Sequence, residues 1–155
     1  KTATFRASVY LLLSLILVLL LASCTQDDPA TPSDDPAVVQ QQVQDGSWRI
    51  TSFIDSGKDE TSHFSGYVFT FNANGMLQAS NGSVTHTGAW SVTNSNSQDD
   101  SPGDVDFNIL FNLTNAFEDL NEDWHILSQS STRLELIHVS GGNGGTDYLT
   151  FEKLP

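Results

Sequence analysis

The only cysteine of the chain, Cys24, directly follows an apolar run and precedes an acidic stretch. A thiolate is a good nucleophile, so this side chain can carry a covalently attached group. Two small residues, Ala22 and Ser23, stand before it and give a peptidase access to the Ser23–Cys24 bond. Because no second cysteine is present, no disulfide can form within the chain. Cys24 is therefore a candidate for covalent modification of its sulfur.

The four histidines are the next candidates for chemistry. His86 and His138 are predicted to face inward from their strands, whereas His125 faces outward beside Trp124 and His63 lies in a loop. No two of them have the short spacing of a zinc site, and no thiolate is available to assist. We therefore predict no metal site and no cofactor. Hydrogen-bonded or solvated strand histidines are the main interpretation, and an inward His86–His138 pair that contacts a ligand is the alternative.

Other patterns that carry chemistry are absent or incomplete. The acidic stretch "QDDSPGDVD" does not match the EF-hand pattern of alternate ligands, central glycine and distal glutamate, so a solvated loop is the main interpretation and weak calcium binding the alternative. The stretch "SGGNGG" is flanked by predicted strands and no Lys-Ser/Thr pair follows it, which indicates a hairpin turn. No Gly-x-Ser-x-Gly elbow occurs. The sequence predicts a protein that is not an enzyme.

The N-terminal segment resembles a bacterial lipoprotein signal. Lys1 and Arg6 precede about a dozen apolar residues, a pattern typical of a cleaved signal peptide over 1–23 rather than of a retained anchor. The stretch Leu21-Ala22-Ser23-Cys24 resembles a lipobox. This resemblance implies that Cys24 becomes the first residue and carries diacylglyceryl and a further acyl chain such as palmitate. Two or more chains give stable membrane attachment.

Residues 24–45 are predicted to be the lipidated cysteine and a flexible acidic tether, because the stretch is rich in Asp and Pro and has no aromatic residue. Its start, "CTQDD", resembles the surface-export signal of lipoproteins of the Bacteroidota, which implies the outer membrane and exposure at the cell surface. Near its end, Asp35, Pro36, Val39 and Val43 match a short capped helix that Gly46 terminates.

Charge excludes one class of partner. With 1–23 removed, four basic groups remain against 19 acidic ones, a net charge of −15. Such a surface repels phosphate backbones, so nucleic-acid binding is excluded, and it repels anionic headgroups. The membrane is reached only through the acyl chains, and we expect a monomer.

From residue 46 onward the sequence alternates with period two between turn residues, which predicts an all-β domain over 46–155. Eight strands with short connections favour a small antiparallel up-and-down barrel, with a two-sheet sandwich as the alternative. The predicted strands are 47–54, 64–71, 75–80, 83–92, 104–111, 123–129, 132–139 and 146–153. In the first strand the predicted inward residues are Trp48, Ile50 and Ile54.

The order "GSW…GYVFTFNANG…GAWSV…DWHILSQSSTRLELIH…YLTFEK" resembles the lipocalin-like (calycin-type) domain of small lipoproteins from the Bacteroidota. The resemblance implies that Gly46 and Trp48 close one end of the barrel and that Lys153 covers the tryptophan, a cation–π pair of about 0.5–2 kcal/mol. It also implies a small apolar or amphipathic ligand. Its contacts would come from inward aromatic and imidazole side chains: Tyr67, His86, Trp90, Trp124 and His138.

Two functions follow from these patterns. The first is an envelope lipoprotein whose barrel takes a ligand at its mouth. The second is an interaction or structural lipoprotein with a side-chain-filled barrel, which binds an envelope protein or a glycan through the loops at 94–103 and 112–122.

Overall fold

The computed structural model describes residues 35–95, 104–141 and 144–155. The predicted signal peptide, the Ser23–Cys24 cleavage site, the tether up to residue 34 and most of the 94–103 loop lie outside the described residues. None of the helices in the described ranges is long and apolar enough to cross a membrane.

One helix, two short 3-10 turns and nine strands make up the described chain. The helices are α1 (Pro36–Gln44), η1 (Thr61–Phe64) and η2 (Glu118–Leu120). The strands are β1 (Trp48–Asp55), β2 (Lys58–Asp59), β3 (Val68–Phe71), β4 (Met76–Ser80), β5 (Thr85–Asn94), β6 (Val105–Leu110), β7 (Asp123–Gln129), β8 (Arg133–Val139) and β9 (Thr146–Lys153).

The strands form one antiparallel sheet that closes on itself. Strand β1 pairs with β3, β3 to β9 follow in chain order, and β9 pairs again with β1. The predicted eight-stranded up-and-down barrel is confirmed, with β2 as one extra strand on β1. The sequence did not predict β2, because two exposed residues are too short for an alternating pattern to be visible.

The predicted inward face of β1 is wrong after its middle. The pairing of β1 with β9 shifts register between Ile50 and Ser52, as in a β-bulge. One extra residue reverses the alternation, so Phe53 rather than Ile54 is the buried residue at this end, and Ile54 is half-buried. Strict period-two counting cannot detect such an insertion.

The predicted helix is confirmed as α1. The Asp35 carboxylate accepts a hydrogen bond from the backbone N–H of Ala37 at 2.9 Å, and Pro36 occupies the first turn. Although 35–45 fell within the predicted tether, the structure packs α1 on the barrel, with Val39 and Val43 fully buried. A nine-residue helix is marginal in water, so this burial must stabilise it.

The barrel interior is filled by aromatic and aliphatic side chains. Phe71 lies near the middle and makes edge-to-face contacts with Trp90, Phe107 and Phe151, at centroid distances of 5.3, 5.5 and 5.6 Å. Such pairs stabilise by about 0.5–1.5 kcal/mol beyond the area they bury. The largest fully buried side chains are Trp48, Trp124, Phe53, Phe64, Phe69, Phe71, Phe107, Phe111 and Phe151.

Each tryptophan also attaches a segment outside the sheet to the barrel. The indole N–H of Trp48 donates to the carbonyl of Val43 in α1 at 2.8 Å. The indole N–H of Trp90 donates to the backbone carbonyl of Asn72, in the turn after β3, at 3.0 Å. That of Trp124 donates to the backbone carbonyl of Leu120 in η2 at 3.1 Å. These bonds satisfy buried indole donors that would otherwise cost about 1–3 kcal/mol each.

The antiparallel register defines two ends of the barrel. The helix end carries α1 and the start of β1. The opposite end, here called the rim, carries the turn at 56–57, η1, the 111–122 connection and the turn between β8 and β9. Phe64, Phe117 and Leu120 are buried at the rim, so side chains from these connections cover it.

Candidate functional site

An imidazole and three carboxylates come together at the rim, where β7, β8 and β9 meet. His138 faces inward from β8, and the register places it opposite Asp147, the second residue of β9. Glu122 and Asp123 stand at the start of β7, the neighbouring strand. We call these four residues the rim cluster. Its members therefore come from the start of β7, from β8 and from β9.

The distances within the rim cluster exceed hydrogen-bond length. The Nδ1 atom of His138 lies 3.5 Å from Glu122 Oε2 and 3.6 Å from Asp147 Oδ2, and its Nε2 atom lies 3.8 Å from Asp123 Oδ1. Within the described part of the chain, the buried Nδ1 atom has no hydrogen-bond partner. The ring edge faces Trp124 at a centroid distance of 6.1 Å, which limits its rotation. The imidazole is thus held among carboxylates without bonding closely to any of them.

Asp147 is held in place by the turn after β1. It is only 9% exposed, and its Oδ1 atom accepts hydrogen bonds from the backbone N–H of Ser56 at 2.7 Å and from the Ser56 hydroxyl at 3.4 Å. Ser56 has φ = 48°, a left-handed conformation that is uncommon for a residue with a side chain. Gly145 leaves room for it, because a Cβ there would lie 2.3 Å from Ser56 Oγ.

Negative charge is concentrated at this point. Burial raises the pKa of the Glu122 carboxyl, and the nearby carboxylates of Asp123, Asp147 and Asp55 raise it further, while His138 acts in the opposite direction. Accumulated like charge in a partly desolvated place is typical of functional sites, although ion-pair networks also produce it. Within the rim cluster, Glu122 is therefore the carboxyl whose ionised form its surroundings disfavour.

A second group at the rim contains Tyr67 and His86. Their rings stack at a centroid distance of 5.8 Å, and the Tyr67 hydroxyl lies 3.5 Å from His86 Nε2. Phe117 contacts both rings, at 5.0 and 4.6 Å. The 111–122 connection thus places an aromatic ring where the predicted ligand would enter.

The five predicted ligand contacts do not converge on one space. Tyr67 and His86 form one group, Trp124 and His138 form another, and Trp90 packs between Phe71 and Phe107 in the core. In the described residues no contact joins His86 to His138. The alternation placed both histidines inward correctly, but it could not show which part of the perimeter each strand occupies.

The predicted closing residues lie at the helix end. Trp48 is fully buried and pairs with Lys153 across β1 and β9. The Lys153 amine forms an ion pair with Asp45 at 2.8 Å, and its side chain passes over Gly46. Gly46 has φ = 93°, a conformation that favours glycine, and a Cβ there would lie 2.6 Å from Lys153 Cε and push that flexible side chain aside. Among the described residues, the Lys153 ammonium group is thus paired with the carboxylate of Asp45.

An open groove of 520 Å³ lies where β1 and β3 meet. The ladder between these strands is a single bridge, Trp48–Phe69, beyond which they diverge. We call this the seam groove. Its lining mixes hydroxyl groups, one cation and apolar side chains: Arg49, Ile50, Thr51, Thr61, Ser62, Phe64, Ser65, Tyr67, Val68 and Leu154. A second concavity of 510 Å³ lies on the outer wall over β5 and β6.

Sequence reasoning did not find the rim cluster. It predicted that His138 faces inward, but it assigned no role to Glu122, Asp123 or Asp147. The sequence does contain a signal for one of these contacts, the "SGGNGG" turn between β8 and β9. In a hairpin closed by this turn, pairing the residues on its two sides outward from the turn places Asp147 opposite His138. The approach of Glu122 could not be predicted, since it depends on the path of the irregular 111–122 connection.

Comparisons with known proteins give distant likenesses only. No protein-family model and no curated protein matches the chain. A DUF4847 family protein from Bacteroides vulgatus superposes with a TM-score of 0.45 at 18% identity, covering 76% of this chain and 99% of that one. A protein from Burkholderia xenovorans superposes with a TM-score of 0.41 at 14% identity, covering 84% and 96%. At these TM-scores neither likeness bears on family or function.

Proposed function

We propose that this chain is a lipid-anchored binding protein of the bacterial outer membrane, whose barrel interior is a packed core and whose partner binds outside. Acyl chains on Cys24 would hold it to the membrane, with exposure at the cell surface. Its role in this proposal is binding rather than catalysis. The observation that carries the proposal is the filled interior, because a side-chain-filled barrel must recognise its partners on its surface.

The packing favours a barrel with a filled interior over a barrel that holds a ligand inside. In the described ranges, nine large aromatic side chains are less than 2% exposed, and Phe71 touches three other rings. A ligand of ordinary size needs a pocket of about 300–1,000 Å³. Opening such a space would separate several edge-to-face pairs and displace Phe117 from the rim.

The seam groove is the surface where we place the partner. Because β1 and β3 share only one bridge, both strands border a gap that an extended segment of another protein can enter beside them. Hydroxyls of Thr51 and Ser65 supply hydrogen-bonding groups there, and Tyr67 supplies an amphipathic ring. Arg49 adds a half-exposed cation, paired with Glu152 at 3.3 Å, that an acidic side chain of a partner can also contact. These features fit a segment of a protein with an acidic side chain.

Site-specific photo-crosslinking in cells that make the full-length chain tests this assignment. A photoreactive residue in place of Ser65 lies in the groove, whereas one in place of the exposed Thr87 lies on another wall of the barrel and serves as the matched control. We expect one protein partner captured from Ser65, reduced by Arg49→Glu, and absent from Thr87. Equal capture at both positions, or a captured glycan, would contradict the proposed partner.

Native mass spectrometry of the full chain, extracted with mild detergent, tests the interior. We expect the mass of the acylated polypeptide without a further small molecule. A stoichiometric apolar compound that survives detergent exchange would overturn the packed-core proposal and favour the ligand carrier.

Membrane fractionation tests the anchor. Cys24→Ser should move the protein from the membrane fraction to the soluble one, while Ser47→Ala, in the described chain, should leave the distribution unchanged. Continued membrane association of the Cys24 variant would contradict lipid anchoring.

A further inference from the structure

We propose that the rim cluster binds one divalent first-row transition metal ion, with Zn²⁺ as the probe, through His138, Glu122 and Asp123. Asp147 lies behind the imidazole and orients it. This site is independent of the seam groove, so either proposal can fail without the other.

The first support is geometric. One ligand atom from each of Glu122, Asp123 and His138 lies within 4.8 Å of the other two. Around a tetrahedral zinc ion with bonds of about 2.0–2.2 Å, ligand atoms are about 3.3–3.6 Å apart. Glu122 and Asp123 are partly exposed, at 37% and 69% of their side chains, so they can close by the remaining distance without disturbing the core.

The second support is the unsatisfied imidazole. Its Nδ1 atom is buried and within the described chain has no hydrogen bond, yet Asp147 Oδ2 lies 3.6 Å away. Metal-bound histidines almost always direct their second nitrogen to a carboxylate or carbonyl, which fixes the tautomer and the ring orientation. With Nδ1–H directed to the buried Asp147, the Nε2 atom, 3.8 Å from Asp123, is left for the ion. Glu122, whose Oε2 atom lies 3.5 Å from Nδ1, would have to rotate toward Nε2 to complete the ligand set. Ser56 holds Asp147 from the other side.

The third support is charge balance. All four lysines and arginines of the described chain have other acidic partners. The pairs are Arg49–Glu152, Lys58–Glu60, Arg133–Glu135, Arg133–Glu152 and Lys153–Asp45. Three carboxylates of the rim cluster therefore face one imidazole, and a divalent cation would neutralise the excess negative charge.

The ligand types select the metal class. Imidazole with carboxylates suits zinc and neighbouring transition metals, whereas calcium takes six to eight oxygen ligands. Three protein ligands would leave a fourth coordination position open to water or to a group from a partner.

Thermal unfolding and calorimetric titration of the full chain in detergent test the site, in a Cys24→Ser background that removes the only thiol. After treatment with a chelator, we expect one Zn²⁺ to bind per chain and to raise Tm by several degrees. His138→Asn and Glu122→Gln should each weaken Zn²⁺ binding at least about tenfold and abolish the rise in Tm.

His125→Asn is the matched control, because His125 on the same sheet also has a carboxylate, Asp106, 3.6 Å from its ring. It should bind Zn²⁺ like the background protein. Unchanged binding in both His138→Asn and Glu122→Gln would overturn the proposal. So would an equal loss in His125→Asn, the absence of any Zn²⁺ response in the background protein, or an equal rise in Tm with Ca²⁺. If His138→Asn does not fold, Glu122→Gln alone decides.

Discussion

Gly88 on β5 lies where the neighbouring strand approaches too closely for any side chain. A Cβ at this position would lie 2.5 Å from the carbonyl oxygen of Leu110 and 2.8 Å from Cδ1 of Phe111. The first neighbour is backbone and the second is a buried ring, so neither can move without disturbing the barrel.

We therefore predict that Gly88→Ala lowers the free energy of unfolding by about 1–3 kcal/mol through overpacking. Chemical denaturation monitored by circular dichroism measures this change. Gly141→Ala is the control, because a Cβ at Gly141 meets nothing within 4 Å. Equal stability of the two variants would show that β5 and β6 can separate at low cost.

Glu135 links stability to pH through a single side chain. The hydrogen bond from Ser128 is the main cause that holds the pKa of its carboxyl below the ordinary 4.5, and Arg133 also lowers it. The ionised form is favoured by folding, so its contribution is present above pH 4.5 and is lost as pH falls through the lower, folded-state pKa.

We predict that Ser128→Ala destabilises the protein at neutral pH and that the difference from wild type shrinks below about pH 4.5. Urea titrations across this pH range measure it. Ser91→Ala on the exposed face of β5 should show little difference at any pH. A Ser128→Ala difference that grows on acidification would contradict the assignment.

At the scale of elements, α1 depends on the barrel for its stability. Its two buried valines, Val39 and Val43, lie one turn apart, and Gln40 donates to the carbonyl of Val92 at 3.0 Å. Val38 is 47% exposed on the other face of the same helix.

We predict that Val39→Ala lowers the free energy of unfolding by about 2 kcal/mol, from lost burial and the remaining cavity. Val38→Ala should change it by less than about 0.5 kcal/mol, with a slight gain because alanine favours the helix. Thermal and urea unfolding of both variants provide the measurement. Equal losses would mean that helix propensity, rather than docking, decides the stability of α1.

Elements that are specified by residues within their own segment were predictable from the sequence, and elements that depend on contacts distant in sequence were not. The cap by Asp35, the position of Pro36 and the four-residue spacing of the valines are local, and they predicted α1. The docking of α1 on the barrel was not predictable in this way. It depends on a surface near Val92, which lies 52 residues after Gln40 in the sequence. Likewise the bulge after Ile50 arises from pairing with β9 and leaves no mark on the local pattern.

For the whole molecule, the dominant electrostatic feature is a formal charge of −13 on 155 residues. Self-repulsion of this kind destabilises a compact state, and salt screens it over about 10 Å at 0.1 M. We predict that raising NaCl from about 0.02 to 0.5 M increases Tm. Differential scanning fluorimetry measures this, and a steady fall in Tm would contradict it.

Asp119 on η2 offers a local version of the same test. Burial raises the pKa of its carboxyl, and the charges of Asp55, Glu118 and Glu60 raise it further. Its ionisation therefore opposes folding, and the stability present below pH 3.8 is lost as pH rises through the folded-state pKa. Asp119→Asn should stabilise the protein at neutral pH and reduce the response of Tm to salt. A destabilised variant would instead indicate a structural role for the carboxylate.

The barrel itself was predictable because the alternating pattern that specifies a strand occurs many times along the sequence. Eight alternating segments separated by residues suited to turns admit few closed arrangements, so individual errors such as Ile54 do not change the topology. The rim cluster was not predictable in the same way. It depends on one register, His138 opposite Asp147, and on one irregular connection that delivers Glu122.

The hydrogen bonds of the three tryptophans have an optical consequence. Trp48, Trp90 and Trp124 are bonded to α1, to the turn after β3 and to η2, rather than to one another. Release of any one of these segments would expose a single indole to water and shift its emission. Intrinsic fluorescence would therefore report the detachment of α1, of the turn after β3 or of η2 from the barrel. Variants in which two of the three tryptophans are replaced by Phe would assign each emission shift to one segment.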